Sequence, residues 1–151
     1  MKKQILLIFI AVLMTGCASK KNIQNFSDVV GKGWKLIEIK MEDKSVLFNR
    51  ANLAKEDAGD IFTLTVNTET INGKGAPNLF ITPYKQGDNQ SLTVTPISVT
   101  TPAPLRQPER LRENDFFTYL QNVYKWEAVN NNLELLSKTE DGNTIRLVFS
   151  L

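Results

Sequence analysis

From Ile61 onward the apolar residues recur with a period of two. Phe62, Leu64 and Val66 alternate with Thr63 and Thr65, the pattern of a strand with one buried face. Leu79 to Tyr84 reads as a further strand, and so does Ser91 to Thr101, whose change of phase at Pro96 predicts an edge or a bulge there. Upstream, Trp34 to Lys40 reads as a first strand with Trp34 in the core, Val46 to Phe48 as a second short run, and Arg50 to Asp60 as loop, with one helical turn as the alternative. One segment breaks the period. Pro108 suits a first helical position, Glu109 complements the dipole from the first turn, and Glu113, Phe116, Phe117, Leu120, Val123 and Tyr124 follow at helical spacing. Strands return after Trp126, with an Asn130 to Asn132 turn before Leu133 to Leu135 and a hairpin turn at Asp141-Gly142. The last strand carries Ile145, Leu147, Phe149 and Leu151 on one face. Several antiparallel strands, one helix and a closing hairpin predict an α+β domain, an antiparallel sheet curled into a partly open barrel on the helix.

The amino terminus follows another pattern. Lys2 and Lys3 precede an apolar run from Ile5 to Met14, and Thr15 and Gly16 lead into Cys17, the only cysteine. The run is too short to span a bilayer and has the cationic start of an export signal. Small residues before a thiol let a peptidase reach the backbone, and the thiol is the acceptor for a diacylglyceryl group. Residues 1–16 therefore read as a lipoprotein signal peptide, 17–29 as a lipidated N-terminus and linker whose later half, with Ile23, Phe26 and Val29, can already touch the core, and 30–151 as the folded domain. This places the protein in the cell envelope, held on a membrane by lipid at Cys17. Ala18, where Asp would retain it, directs it to the outer membrane of a two-membrane cell.

Charge adds one exclusion. The signal peptide takes with it two of the 18 basic and none of the 16 acidic residues, so the mature chain is formally neutral and carries no footprint for nucleic acid. Histidine is absent and Cys17 is consumed by acylation. The commonest general base, thiolate chemistry and Cys- or His-based metal sites are thereby excluded, and no cofactor is implied. Remaining catalytic candidates are the carboxylates Glu109, Glu113 and Asp115 or a Ser/Lys pair. Acids in a first helical turn are ordinary dipole partners, however, and Glu113 and Asp115 point apart on a helix. The most unusual loop is Asn72 to Asn78, in which Gly73 and Gly75 free the backbone and Pro77 fixes it. Gly73-Lys74-Gly75 lacks the spacing and following helix of a phosphate cradle.

Gly33-Trp34-Lys35-Leu36, Phe62-Thr63-Leu64, Asn78-x-Phe80-x-x-x-Tyr84, Thr100, Glu113-x-x-Phe116-x-x-x-Leu120, Leu133-Glu134-Leu135 and Asp141-Gly142 occur in that order. The body from about Val30 to Phe149 thus resembles the META domain, the family of HslJ-like lipoproteins. The resemblance implies a small envelope protein without a catalytic centre, tied to heat shock and novobiocin tolerance. The sequence departs from the family where many members carry cysteines: Pro77 and Pro104 stand there, and Thr82 replaces a usual glycine. A disulfide role cannot apply, and proline stiffens both loops instead.

The reading that follows is a non-catalytic, membrane-tethered protein that binds or protects another envelope component, with Gly73, Gly75, Asn78 and Tyr84 as candidate contact residues. Asn78 and Tyr84 have a second role open to them, one capping its own turn and the other packing on the sheet. Two alternatives stand beside it: a carrier of a small apolar ligand in the mouth of the curled sheet, and a carboxylate-based hydrolase.

Overall fold

The computed structural model describes residues 22–53, 59–100, 107–108 and 110–151. Cys17, Glu109 and Pro104 lie outside them, as do the signal peptide and part of the Arg50 to Asp60 loop. Ten strands form one antiparallel sheet: β1 (Gly33–Met41), β2 (Val46–Asn49), β3 (Thr63–Val66), β4 (Thr70–Lys74), β5 (Leu79–Gln86), β6 (Leu92–Val94), β7 (Ser98–Val99), β8 (Val123–Val129), β9 (Asn132–Lys138) and β10 (Thr144–Ser150). Eight of them follow the order β6-β5-β4-β3-β1-β10-β9-β8, while β2 adds to β1 and β7 to β5. The sheet curls until its ends meet: Ser91 bridges Lys125, and the Trp126 N–H donates to the Gln90 carbonyl at 3.0 Å. The result is the predicted α+β barrel with a single seam.

β1 shows how the curl is made. Trp34, Leu36 and Ile39 are buried, a phase break that the β1–β10 register places between Leu36 and Glu38. That bulge bends the strand. It also divides the other edge of β1, which pairs with β3 over Gly33–Lys35 and with β2 over Glu38–Lys40. Arg50 fills the divide: Nε donates to the Leu36 carbonyl at 2.5 Å and Nη2 to the Ile61 carbonyl at 2.6 Å. β5 is divided likewise between β6 and β7 around Pro96.

Both mouths are plugged. At the upper end, where β3 begins and β4 ends, lies the helix α1 (Glu113–Gln121). Its Phe116 meets Phe62 and Phe80 with ring centroids 5.1 and 6.0 Å apart, and Phe117 meets Phe80 at 5.4 Å. The helix begins five residues after the predicted Pro108, because the Glu113 N–H finds its partner on Gln107 Oε1 at 3.2 Å. It ends at Asn122, so Val123 and Tyr124 belong to β8 rather than to the helical stripe. At the lower end Phe26, in a 3-10 turn over Phe26–Asp28, sits edge-on to Tyr84 and Trp126 at 5.4 and 5.1 Å. Val29 is fully buried and accepts from Trp34 Nε1 at 3.2 Å. The later half of the linker thus touches the core, through Phe26 and Val29. Leu151, expected on the buried face of the last strand, lies past β10 and is 69% exposed.

Outside the barrel, register sets a row of bases beside a row of acids. Lys125, Leu136, Arg146 and Lys40 pair across β8, β9, β10 and β1, with Glu127, Glu134, Val148 and Glu38 on the next row. Arg146 Nη1 donates to Glu127 Oε2 at 2.6 Å and to Glu134 Oε2 at 2.7 Å. The hydrogen bond from Arg146, reinforced by Lys125, holds the Glu127 carboxyl below its ordinary value of 4.5. A depressed folded pKa stabilises above the unfolded value and ceases to do so as pH falls through the folded one. The difference in stability between wild type and Glu127→Gln, from urea unfolding at several pH values, is therefore expected at neutral pH and should vanish in acid. A difference that persisted below the lowered value would remove the ion pair as its source.

Candidate functional site

The β4–β5 connection, Gly75 to Asn78, folds over the helix start. Gly75 N donates to the Asn78 carbonyl at 2.7 Å, closing the turn, and the Ala76–Pro77 peptide is cis. Into this turn reaches Glu113, only 4% exposed. Its Oε1 accepts from Ala76 N at 2.6 Å and Asn78 N at 2.7 Å, and its Oε2 accepts from Asn78 Nδ2 at 2.6 Å. Thr100 Oγ1 completes the chain, donating to Asn78 Oδ1 at 3.3 Å and accepting from Leu79 N at 3.2 Å. Three donors on one carboxylate, beside the positive end of its own helix, make charge-assisted bonds that fix loop to helix.

The predicted contact residues thus separate. Asn78 is buried and its amide points to Glu113, so it joins loop to helix where a contact residue or a cap of its own turn was expected. Gly75 is buried, and a side chain there would enter Glu113 and Phe117. Gly73 lies within β4, paired with Leu64 and Phe80, where a free loop was expected. Tyr84 packs its ring on Phe26 and donates its hydroxyl to the Asn67 carbonyl at 2.7 Å, with the Thr68 carbonyl at 3.0 Å. Burial raises its pKa. Of the carboxylates in the hydrolase reading, Glu113 is engaged inward and Asp115 is exposed.

What the sequence reading missed is the surface next to this lock. Leu79, Ile81 and Val99 are 58%, 50% and 42% exposed. With Asn72, Gly73, Phe80, Ser98 and Thr100 they line a shallow groove of about 410 Å³ on the β4–β5 wall. A signal was present. Phe80, Thr82 and Tyr84 form the inward set of β5, which leaves two large apolar residues on the phase that ordinarily faces water. Among the described residues no group of three or more His, Cys, Asp or Glu is placed to hold a metal ion. Nor is any helix among them long and apolar enough to cross a membrane.

This architecture recurs in solved structures. An NMR structure of a protein from Burkholderia xenovorans matches with a TM-score of 0.57 at 15% identity, covering 99% of each chain. A crystal structure of a DUF4847 family protein from Bacteroides vulgatus matches with a TM-score of 0.54 at 16% identity, over 82% of this chain and 94% of that one. At such identities the likeness concerns the fold. No protein-family model and no curated protein matches the chain.

Proposed function

We propose that the chain is a lipid-anchored, non-catalytic envelope protein of the META/HslJ-like kind that binds a protein component of the envelope through the β4–β5 wall. The observation that carries this reading is the pairing of the inward lock with the outward groove. The helix carboxylate Glu113 is committed to three N–H donors, while the adjoining face presents Leu79, Ile81 and Val99 within a rim of Asn72, Ser98 and Thr100. An apolar centre with a polar rim is the anatomy of a small protein-contact face. Against the apolar-ligand carrier stands the filling of the barrel, where Trp34, Phe62, Phe116 and Phe149 are all 1% exposed or less.

The test uses the protein matured in its own cell. Mass spectrometry is expected to find acyl chains on Cys17. Crosslinking is expected to trap a partner of discrete mass, which the double variant Leu79→Glu, Ile81→Glu loses while its melting curve stays that of the wild type. An unmodified Cys17, or crosslinks indifferent to the two substitutions, would overturn the proposal.

A further inference from the structure

The way the chain enters the barrel fixes how the body stands on a membrane. Phe26 is clamped between Tyr84 and Trp126, Val29 is buried, and Gly31 N donates to the Val66 carbonyl at 2.8 Å. The chain is therefore fastened to the lower rim from Phe26 on, and Ile23 lies there in one surface recess with Lys32, the Asn130–Asn132 turn between β8 and β9, Ser150 and Leu151. Asn22 follows Cys17 by five residues. Even fully extended, that stretch spans about 18 Å, so lipid on Cys17 would keep this rim close to the bilayer.

The apolar groove lies elsewhere in both coordinates. In the ring of eight strands, β4 stands opposite β9 and β5 opposite β10, so the groove is across the barrel from the entry point. Leu79 also opens β5 at the upper end, whereas Gln86 closes it at the lower one, a strand length of about 23 Å. A tether this short cannot turn that wall to the lipid.

The rim has the chemistry of a headgroup contact. Lys32 supplies a positive charge, the three asparagines supply amide donors, and Val129 and Leu151 are exposed apolar side chains. A cation beside scattered apolar residues suits the boundary between headgroups and acyl chains. We propose that the rim of Lys32, Asn130–Asn132 and Leu151 rests on the headgroup layer of the bilayer that holds Cys17, and that the Leu79–Ile81–Val99 wall faces away from it. This rests on the lipid-anchored reading and adds which surface is left for the protein partner.

Acylation turns the only native thiol into a thioether, so a single introduced cysteine can carry an environment-sensitive fluorophore. Leu151→Cys and Leu79→Cys occupy exposed positions at the two extremes. In the mature acylated protein, reconstituted into phosphatidylethanolamine and phosphatidylglycerol vesicles containing headgroup-quencher lipid, the label at residue 151 is expected to be quenched several-fold more than that at 79. Equal quenching, or stronger quenching at 79, in protein whose mass shows the acyl chains would overturn the orientation alone. Protein without acyl chains would overturn the anchored reading and the orientation with it.

Discussion

Replacing Glu113 with alanine is expected to destabilise the protein by about 3–5 kcal/mol, because three buried N–H donors lose the acceptor they share. The variant leaves the N–H groups of Ala76 and Asn78 and the Asn78 side-chain amide without their acceptor, in a place from which water is excluded. Each orphaned donor costs about 1–3 kcal/mol, and the alternative of opening the loop uncovers Ala76 and Phe117. Glu113→Gln separates charge from shape. Its remaining oxygen can keep the two backbone donors, but its NH₂ then faces the NH₂ of Asn78, so the loss should be intermediate. Asn78→Ala removes one donor and leaves two satisfied, and should cost less than either. Urea unfolding of the three variants gives the order directly. A Glu113→Ala protein within about 1 kcal/mol of wild type would mean that the loop does not depend on the carboxylate.

This lock shows where sequence reasoning reached its limit. The period-two signal found β3, β5, β9 and β10 because each shows one face to the core, and its chemistry is local. Glu113 was equally visible as a residue, but its partners at Ala76 and Asn78 lie 37 and 35 positions earlier, and a first-turn acid has a sufficient local explanation in the helix dipole. Nothing nearby reports the distant donors. The same limit explains the helix end. Leu120, Val123 and Tyr124 fit a helical stripe, yet the stripe is broken at Asn122 because Val123 and Lys125 pair with Ser137 and Leu136 of β9. Phe26 and Val29 sit in a polar segment whose composition is that of a linker, and only Tyr84 and Trp126 make them core. In β1 the pattern Trp34, Leu36, Ile39 is irregular for a strand until the bulge supplies the missing residue. The groove is the opposite case. Leu79 and Ile81 were written on the wrong phase of a legible strand, a local signal whose meaning depends on what covers it.

Gly73→Ala should be the most disruptive single methyl in the described body. The backbone angle here is not the reason, since the positive-φ glycines are Gly31 and Gly142. Proximity is. A β-carbon at residue 73 would run into the Thr63 carbonyl oxygen and lie 2.8 Å from Leu64 Cα and 2.9 Å from Thr63 C, against an ordinary carbon contact of about 3.5–4.0 Å. These blocking atoms are main chain of β3, so no rotamer change relieves them. β3 and β4 must move apart, which disturbs the pairs Thr63–Lys74, Leu64–Gly73, Thr65–Asn72 and Val66–Ile71. Overpacking of this kind costs about 3 kcal/mol, read in a thermal melt as a fall of roughly 10 °C. Gly59→Ala is the matched control: nothing lies within 4 Å of its added carbon, so it should be neutral or raise stability by about 0.4–1 kcal/mol through the unfolded chain. Should Gly73→Ala melt within about 2 °C of wild type, the strands separate without loss, and close backbone approach is no longer the reason for a glycine at this position.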